Sequence, residues 1–181
     1  MTEEFNTVVS IVLPTYNRAS LLEKSVNSIL EQSYQYWELI IINNESTDYT
    51  ERLIRSFSEK DKRIRYFEVN KSLQGGISQY LNFGIHNSVG KYIARIDDDD
   101  TWSDRDKLKK QVDFLDANPN YVICGGGVMM VNSAGREMYR FLKNETNEEI
   151  RRKALMACPF EHTTIMFLKD AAISVSLYKN Y

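Results

Sequence analysis

The residues best suited to chemistry are four consecutive aspartates, Asp97 to Asp100, which directly follow an apolar segment typical of a β-strand. Carboxylates held about 5 Å apart repel each other by about 3 kcal/mol at an effective dielectric constant of about 20. A fold that fixes them side by side therefore needs a cation or raised pKa values to offset the repulsion. Since Mn2+ and Mg2+ are commonly bound by one or two carboxylates together with phosphate oxygens, this acidic run predicts a divalent metal site. A solvated acidic loop or a helix N-terminus is the alternative that the run alone leaves open.

Apolar segments rich in β-branched residues alternate with amphipathic segments along the chain up to Pro119. The apolar segments predict four strands buried on both faces, at 8–13 (ended by Pro14), 37–42, 64–69 and 92–96. The amphipathic segments predict helices at 21–30, around 53–57 with Asp48 and Glu51 as a capping pair, at 76–87 and at 106–118. This alternation predicts an α/β fold with a mostly parallel sheet, flanking helices and right-handed crossovers.

The pattern changes after Pro119. Residues 121–131 predict a strand, 132–135 a turn and 136–141 a partner strand, which together make an added β-hairpin. A helix at 148–157, a strand at 162–168 and a further helix from Asp170 complete the prediction. No linker divides the chain, so residues 1–181 are predicted to form a single domain.

Several functional classes are disfavoured by composition. The formal net charge of -2 gives no reason to expect a nucleic-acid partner. Residues 1–7 lack the apolar core of a signal peptide, and the longest apolar stretch, 121–131, is far short of the about 20 residues that span a bilayer. With no transmembrane segment predicted, any membrane association is expected to be peripheral. Cys124 and Cys158 belong to no CxxC pair and are predicted to be buried, reduced thiols, which favours the cytoplasm, with contact at the inner face of the membrane left open.

The ligand crevice of an open α/β sheet lies outside the carboxyl ends of its strands. That rule selects four polar loops, at 14–18, 43–48, 71–76 and 97–100. Their side chains could bind the base, ribose and diphosphate of a nucleotide. A negatively charged diphosphate is repelled by four aspartates. The predicted cation would therefore lie between the phosphate oxygens and the carboxylates.

Five segments, in order and at similar spacing, resemble the family 2 glycosyltransferases, which have a GT-A fold and transfer a sugar from a nucleotide diphosphate sugar to an acceptor. The segments are 9–18, 28–33, 38–48, 76–84 and 90–100, the last of which resembles the DxD-bearing segment of the family. The resemblance covers almost the whole chain.

The resemblance implies roles for individual residues. The implied nucleotide-sugar-binding residues are Pro14, Thr15, Tyr16, Arg18, Asn43, Asn44, Gly76, Asp97 and Asp98. Within this set, Tyr16 would stack near the nucleobase, and Asn43 or Asn44 would hydrogen-bond the base. Asp99 would coordinate the metal, and His162 would lie on the acceptor side. A rim position for Tyr16 and a simple turn role for the two asparagines remain open alternatives.

Two departures from the family pattern limit what can be assigned. The family commonly has aspartate in the turn occupied by Asn43 and Asn44, so UDP is favoured without excluding dTDP or GDP. The family's general base is an aspartate downstream of the last strand, and this sequence ends at Tyr181 before such a motif. The general base is therefore unassigned, and the C-terminal acceptor-side portion is expected to be missing.

The resulting functional prediction is an inverting glycosyltransferase that moves a UDP-linked sugar to a polysaccharide, glycan or lipid-linked acceptor. A non-catalytic module that binds a sugar nucleotide or a partner protein is the alternative. The oligomeric state cannot be predicted from the sequence.

Overall fold

One six-stranded sheet organises the structure, a computed structural model that describes residues 7–69, 76–143, 146–154 and 156–179. In chain order its strands are β1 (Val9–Thr15), β2 (Trp37–Asn43), β3 (Ile64–Glu68), β4 (Tyr92–Arg95), β5 (Ile123–Cys124) and β8 (Met166–Leu168). The spatial order is β3-β2-β1-β4-β8-β5. The first four strands are parallel, and β8 pairs antiparallel with both β4 and β5. The predicted α/β fold with a mostly parallel sheet is thereby confirmed.

The central strands follow the sequence closely, because every residue of β1 and β2 is buried. Pro14 does not end β1, which continues to Thr15. The prediction that all four strands are buried on both faces is wrong for β3, where only Ile64 is buried. This strand forms one edge of the sheet, so its side chains have fewer neighbours to cover them.

Helices cover both faces of the sheet. They are α1 (Ala19–Leu30), α2 (Thr50–Lys60), α3 (Ile77–His86), α4 (Lys107–Ala117), α5 (Asn147–Lys153) and α6 (Lys169–Ser174). One layer of the core packs α1 and α4 against alternate residues of β1, and the other packs α3 against the intervening ones. The second layer is tight where Gly84 faces Val12 and Ile42.

The predicted capping pair at the start of α2 does not form. Tyr49 is the N-cap residue and makes no side-chain cap. Asp48 instead accepts a hydrogen bond from the Thr50 N–H (3.0 Å), which satisfies one of the unpaired amides at this end. The capping box of the described chain lies in α5, where Thr146 and Glu149 cap each other.

The predicted hairpin is present as a separate two-stranded sheet, β6 (Val128–Val131) with β7 (Glu137–Phe141). The predicted strand 121–131 is wrong as a single element. Residues 125–127 are glycines without side chains to pack, and the chain leaves the main sheet there before entering the hairpin.

Two later elements are shorter than predicted. The predicted helix 148–157 ends as α5 at Lys153, and the predicted strand 162–168 opens with a 3-10 turn at His162–Thr164 before β8. Cys158 is exposed, so its predicted burial is wrong, and Cys124 is half-buried. Among the described residues, no helix is both long and apolar enough to cross a membrane.

Candidate functional site

A cavity of about 560 Å³ lies at the carboxyl ends of the parallel strands, where the topology of an open α/β sheet places a ligand. Its lining includes seven residues named from the sequence: Pro14, Thr15, Tyr16, Arg18, Asn44, Gly76 and Asp98. Ile77 and Tyr80 of α3 complete the lining. We refer to the cavity lined by these nine residues as the strand-end cavity. Residues 71–75 of the third predicted loop lie outside the described residues.

Thr15 holds Asp98 at the floor of the strand-end cavity. Its hydroxyl donates to the Asp98 Oδ2 (2.7 Å) across two neighbouring strand ends. Burial raises the pKa of the Asp98 carboxyl, and the Thr15 hydroxyl and the charge of Arg18 act in the opposite direction. The carboxylate is therefore anchored on one oxygen while it faces the cavity.

Asp99 lies beside Asp98 and is paired with Arg18. The guanidinium Nη1 is 2.8 Å from the Asp99 Oδ2, and each side chain is nearly half exposed. Ion pairs this exposed contribute at most about 1 kcal/mol. A divalent cation or a phosphate group could therefore replace either partner at little cost.

The carboxylates near the strand-end cavity suit a metal that also has ligands from outside the protein. Among the described residues, no group of three or more His, Cys, Asp and Glu side chains is arranged to hold a metal ion. Mg2+ and similar cations in nucleotide sites are often held by one or two carboxylates and complete their coordination with phosphate oxygens and water. Asp99, exposed beside the strand-end cavity, fits that kind of site but not a metal cage made by protein alone.

Asp97 is turned away from the strand-end cavity. Its Oδ1 accepts hydrogen bonds from Nε (3.1 Å) and Nη2 (2.9 Å) of Arg95, a buried residue of β4. The charges of both residues also act on His162. Burial is the main cause of the lowered pKa of His162, and Arg95 reinforces the effect. Neither Asp97 nor His162 lines the strand-end cavity.

Asp100 completes the acidic run. It is half-buried, and burial followed by the charges of Asp97 and Asp99 raises the pKa of its carboxyl. The repulsion expected within the run is therefore offset by two arginines and by raised pKa values at Asp98 and Asp100.

The two asparagines that follow β2 have different surroundings. Asn43 is fully buried, and its Oδ1 accepts from the N–H (3.2 Å) and the hydroxyl (2.5 Å) of Ser46, which fixes the turn. Asn44 lines the strand-end cavity, where its Oδ1 accepts from the Tyr80 hydroxyl (2.7 Å). Of the two candidates left open by the sequence, Asn44 is the one that faces the cavity.

Sequence reasoning missed Ile77 and Tyr80. Both follow Gly76, whose backbone (φ 63°, ψ -153°) lies in a region that is essentially restricted to glycine. Residues three apart share one face of a helix, so the implied role of Gly76 together with this spacing could have indicated them. What the sequence could not show is which face of α3 turns toward the strand ends.

Comparison with known proteins gives a consistent result. The family model described as "Glycosyl transferase family 2" matches residues 10–181. The EpsE protein of Bacillus subtilis is 34% identical over 175 residues, which are 95% of this chain and 60% of that protein. A protein of Rickettsia bellii named "Uncharacterized glycosyltransferase" is 34% identical over 158 residues, 87% of this chain and 22% of that protein. This chain therefore spans less than two thirds of the length of these relatives.

Two solved structures share the fold. The Staphylococcus aureus protein TarS, residues 1–349 in complex with UDP-GlcNAc, superposes with a TM-score of 0.75 at 18% identity, over 95% of this chain and 48% of that one. The mannosyltransferase PcManGT of Pyrobaculum calidifontis, in complex with GDP-Man and Mn2+, gives a TM-score of 0.69 at 20% identity, over 95% of this chain and 47% of that one. At these identities the likeness establishes the fold alone.

Proposed function

Because the chain belongs to glycosyl transferase family 2, we propose that its strand-end cavity binds a nucleotide diphosphate sugar, with UDP as the favoured nucleotide. We further propose that the whole protein transfers the sugar, with inversion, to a polysaccharide, glycan or lipid-linked acceptor. The observation that carries the proposal is the meeting of an aromatic ring, an amide and two neighbouring aspartates at the carboxyl ends of β1, β2 and β4.

Different residues of the strand-end cavity would contact the base and the ribose of the nucleotide. The Tyr16 ring, 44% exposed, would stack on the base, and the Asn44 amide would hydrogen-bond it. Thr15 fixes Asp98, which would accept hydrogen bonds from the ribose. Gly76 bears no side chain, which leaves room for the ligand beside its backbone.

Asp99 would hold the divalent cation, Mn2+ or Mg2+, together with the diphosphate oxygens. The cation, when bound, supplies positive charge that stabilises the departing nucleoside diphosphate. Arg18, released from Asp99, can then donate to a phosphate oxygen with its planar guanidinium. The ion pair between the two side chains would thereby be exchanged for a contact of Asp99 with the cation and a contact of Arg18 with the diphosphate.

We assign His162 to the acceptor side. The charges of Arg95 and Asp97 act on its imidazole. Its lowered pKa keeps the imidazole neutral near pH 7, so it can accept a hydrogen bond from an acceptor hydroxyl. Asp97 accepts hydrogen bonds from Arg95 and does not line the strand-end cavity. None of the described residues is assigned as the general base.

Calorimetric titration with UDP, GDP and dTDP, each with Mn2+ and with excess chelator, tests the proposal. We expect UDP to bind, and to bind more tightly with Mn2+. Asp99→Asn should strongly reduce the gain from Mn2+, because it removes the negative charge with which the carboxylate would hold the cation.

Asp104→Asn provides the matched control. Like Asp99, Asp104 is an exposed carboxylate paired with a basic side chain, but its partner is Lys110 of α4 (2.7 Å), whereas Asp99 pairs with Arg18, which lines the strand-end cavity. Failure of all three nucleotides to bind, or equal losses in the two variants, would contradict the proposal.

A further inference from the structure

The helix α1 turns polar side chains toward the protein interior, where apolar ones are usual. Ser25 of α1 and Gln32, two residues beyond the end of α1, are almost completely buried, and the half-buried Ser28 lies between them in sequence. Burying such groups is costly unless they find hydrogen-bond partners. Besides hydrogen bonds to carbonyl oxygens of α1, all three reach one stretch of chain, the acidic loop, which we define as residues 97–106, or the first turn of α4.

Ser25 and Ser28 hold the first half of the acidic loop. The Ser25 hydroxyl lies 2.5 Å from the Asp100 carbonyl oxygen and 3.1 Å from that of Asp98, and donates its proton between them. The Ser28 hydroxyl accepts from the Trp102 N–H (3.0 Å). Two serines one turn apart thus fix the backbone on both sides of Asp99.

Gln32 holds the second half with both ends of its amide. Its Nε2 donates to the Asp104 carbonyl oxygen (2.9 Å), and its Oε1 accepts from the Leu108 N–H (3.1 Å). The Ser33 N–H extends the row by donating to the Arg105 carbonyl oxygen (2.8 Å). The contacts therefore continue to the point where α4 begins.

These contacts share one property, which is that each reaches a main-chain atom of the acidic loop or of α4. They fix the path of the backbone without occupying any aspartate carboxylate. The carboxylates of Asp98 and Asp99 consequently stay available to face a ligand, while the loop beneath them is tied to a helix of the core. Rigid support of this kind is what a site with few protein ligands needs.

We propose that Ser25, Ser28 and Gln32 are positioning residues, which hold the acidic loop so that Asp99 meets the cation and Asp98 the nucleotide. The inference rests on the proposed function, since it concerns the same ligand. It adds residues that touch neither the ligand nor the strand-end cavity. Their contribution is expected in the metal-dependent part of the binding, because the part contributed by Tyr16 and Asn44 does not depend on the acidic loop.

Ser25→Ala tests the inference, with Ser58→Ala as the matched control. The Ser58 hydroxyl donates only within its own helix, to the Ile54 carbonyl oxygen (3.1 Å), far in sequence from the acidic loop. The quantity measured is the ratio of UDP affinity with Mn2+ to that with chelator. We expect the ratio to fall by about tenfold or more in Ser25→Ala, as is typical when support for a metal ligand is removed, and to stay unchanged in Ser58→Ala.

Other results would refute either the positioning role or the proposed function. If folded Ser25→Ala keeps the wild-type ratio, or if Ser58→Ala loses as much, the positioning role is refuted. If Ser25→Ala does not fold, Ser28→Ala takes its place, because it removes the acceptor of the Trp102 N–H at a less buried position. Absence of a Mn2+ effect in the wild-type protein itself would overturn the proposed function, and the positioning role with it.

Discussion

At the scale of single residues, three of the four aspartates in the acidic run have a side-chain partner. Arg95 pairs with Asp97, the Thr15 hydroxyl with Asp98, and Arg18 with Asp99. The sequence could predict that the repulsion must be offset, since this follows from Coulomb's law alone. It could not predict the partners, because Thr15 and Arg18 are separated by more than eighty residues from the aspartates that they contact and reach them only through the sheet.

The residue-scale prediction concerns Tyr16. Replacing Tyr16 by alanine should weaken UDP binding by about 1 to 3 kcal/mol, the range for stacking of a base on an aromatic ring. Calorimetry with Mn2+ present gives the change. Tyr36→Ala is the control, because Tyr36 is also exposed but packs against Tyr34 outside the strand-end cavity. Unchanged affinity in folded Tyr16→Ala would leave Tyr16 as a rim residue.

At the scale of elements, apolar periodicity predicted the strands of the main sheet and the helices that cover it to within a few residues. The errors occur where tertiary context decides. Pro14 is accommodated within β1, and the glycines at 125–127 divide a stretch that is apolar throughout. Similarly, α5 stops at Lys153 and buries none of its residues, so packing does not extend it to the predicted length.

The element-scale prediction concerns the contact between α3 and the sheet. A Cβ at position 84 would lie 2.5 Å from the Val12 Cγ1 and 2.9 Å from the Ile42 Cδ1, closer than real contacts allow. Gly84→Ala gains about 1 kcal/mol of helix propensity, but overpacking of this kind typically costs about 1–3 kcal/mol. We therefore expect a net loss in the free energy of unfolding, measured with urea.

Gly126→Ala is the control for this prediction. Its added Cβ would meet nothing nearer than the Thr164 Cβ at 3.8 Å, an ordinary contact. A Gly84→Ala protein as stable as the wild type would mean that α3 can move away from β1 without cost.

At the scale of the whole molecule, global stability is expected to depend on pH through Lys107. Its amine donates to the Gln111 Oε1 (2.7 Å) and lies over the Trp102 ring, 4.0 Å from the centroid. Burial of the amine lowers its pKa from 10.5 to about 7, although the residue as a whole is only half-buried. Between these two pH values the unfolded chain binds a proton that the folded protein does not.

The free energy of unfolding should therefore rise as the pH is raised from about 7 towards 10.5. Below pH 7 the buried amine is protonated, and the folded protein carries the full cost of burying that charge. Lys107→Met removes the titration, so the difference in unfolding free energy between the variant and the wild type should shrink as the pH is raised from 7 to 9. Urea unfolding at both pH values measures it. In the control Lys109→Met, which removes an exposed lysine paired with Asp113, the difference should not shrink in this way. A constant difference for Lys107→Met would show that the amine stays protonated.

The strand order has a consequence for synthesis of the chain. In the main sheet, β4 lies between β1 and β8, and β5 pairs with β8. The residues between Arg95 and Met166 take on the order of ten seconds to translate. During that interval the nascent parallel sheet ends in an open edge at β4, and open edges pair readily with other chains. We therefore expect the β4 edge to be open to such pairing while the chain is still on the ribosome, until β8 pairs with it.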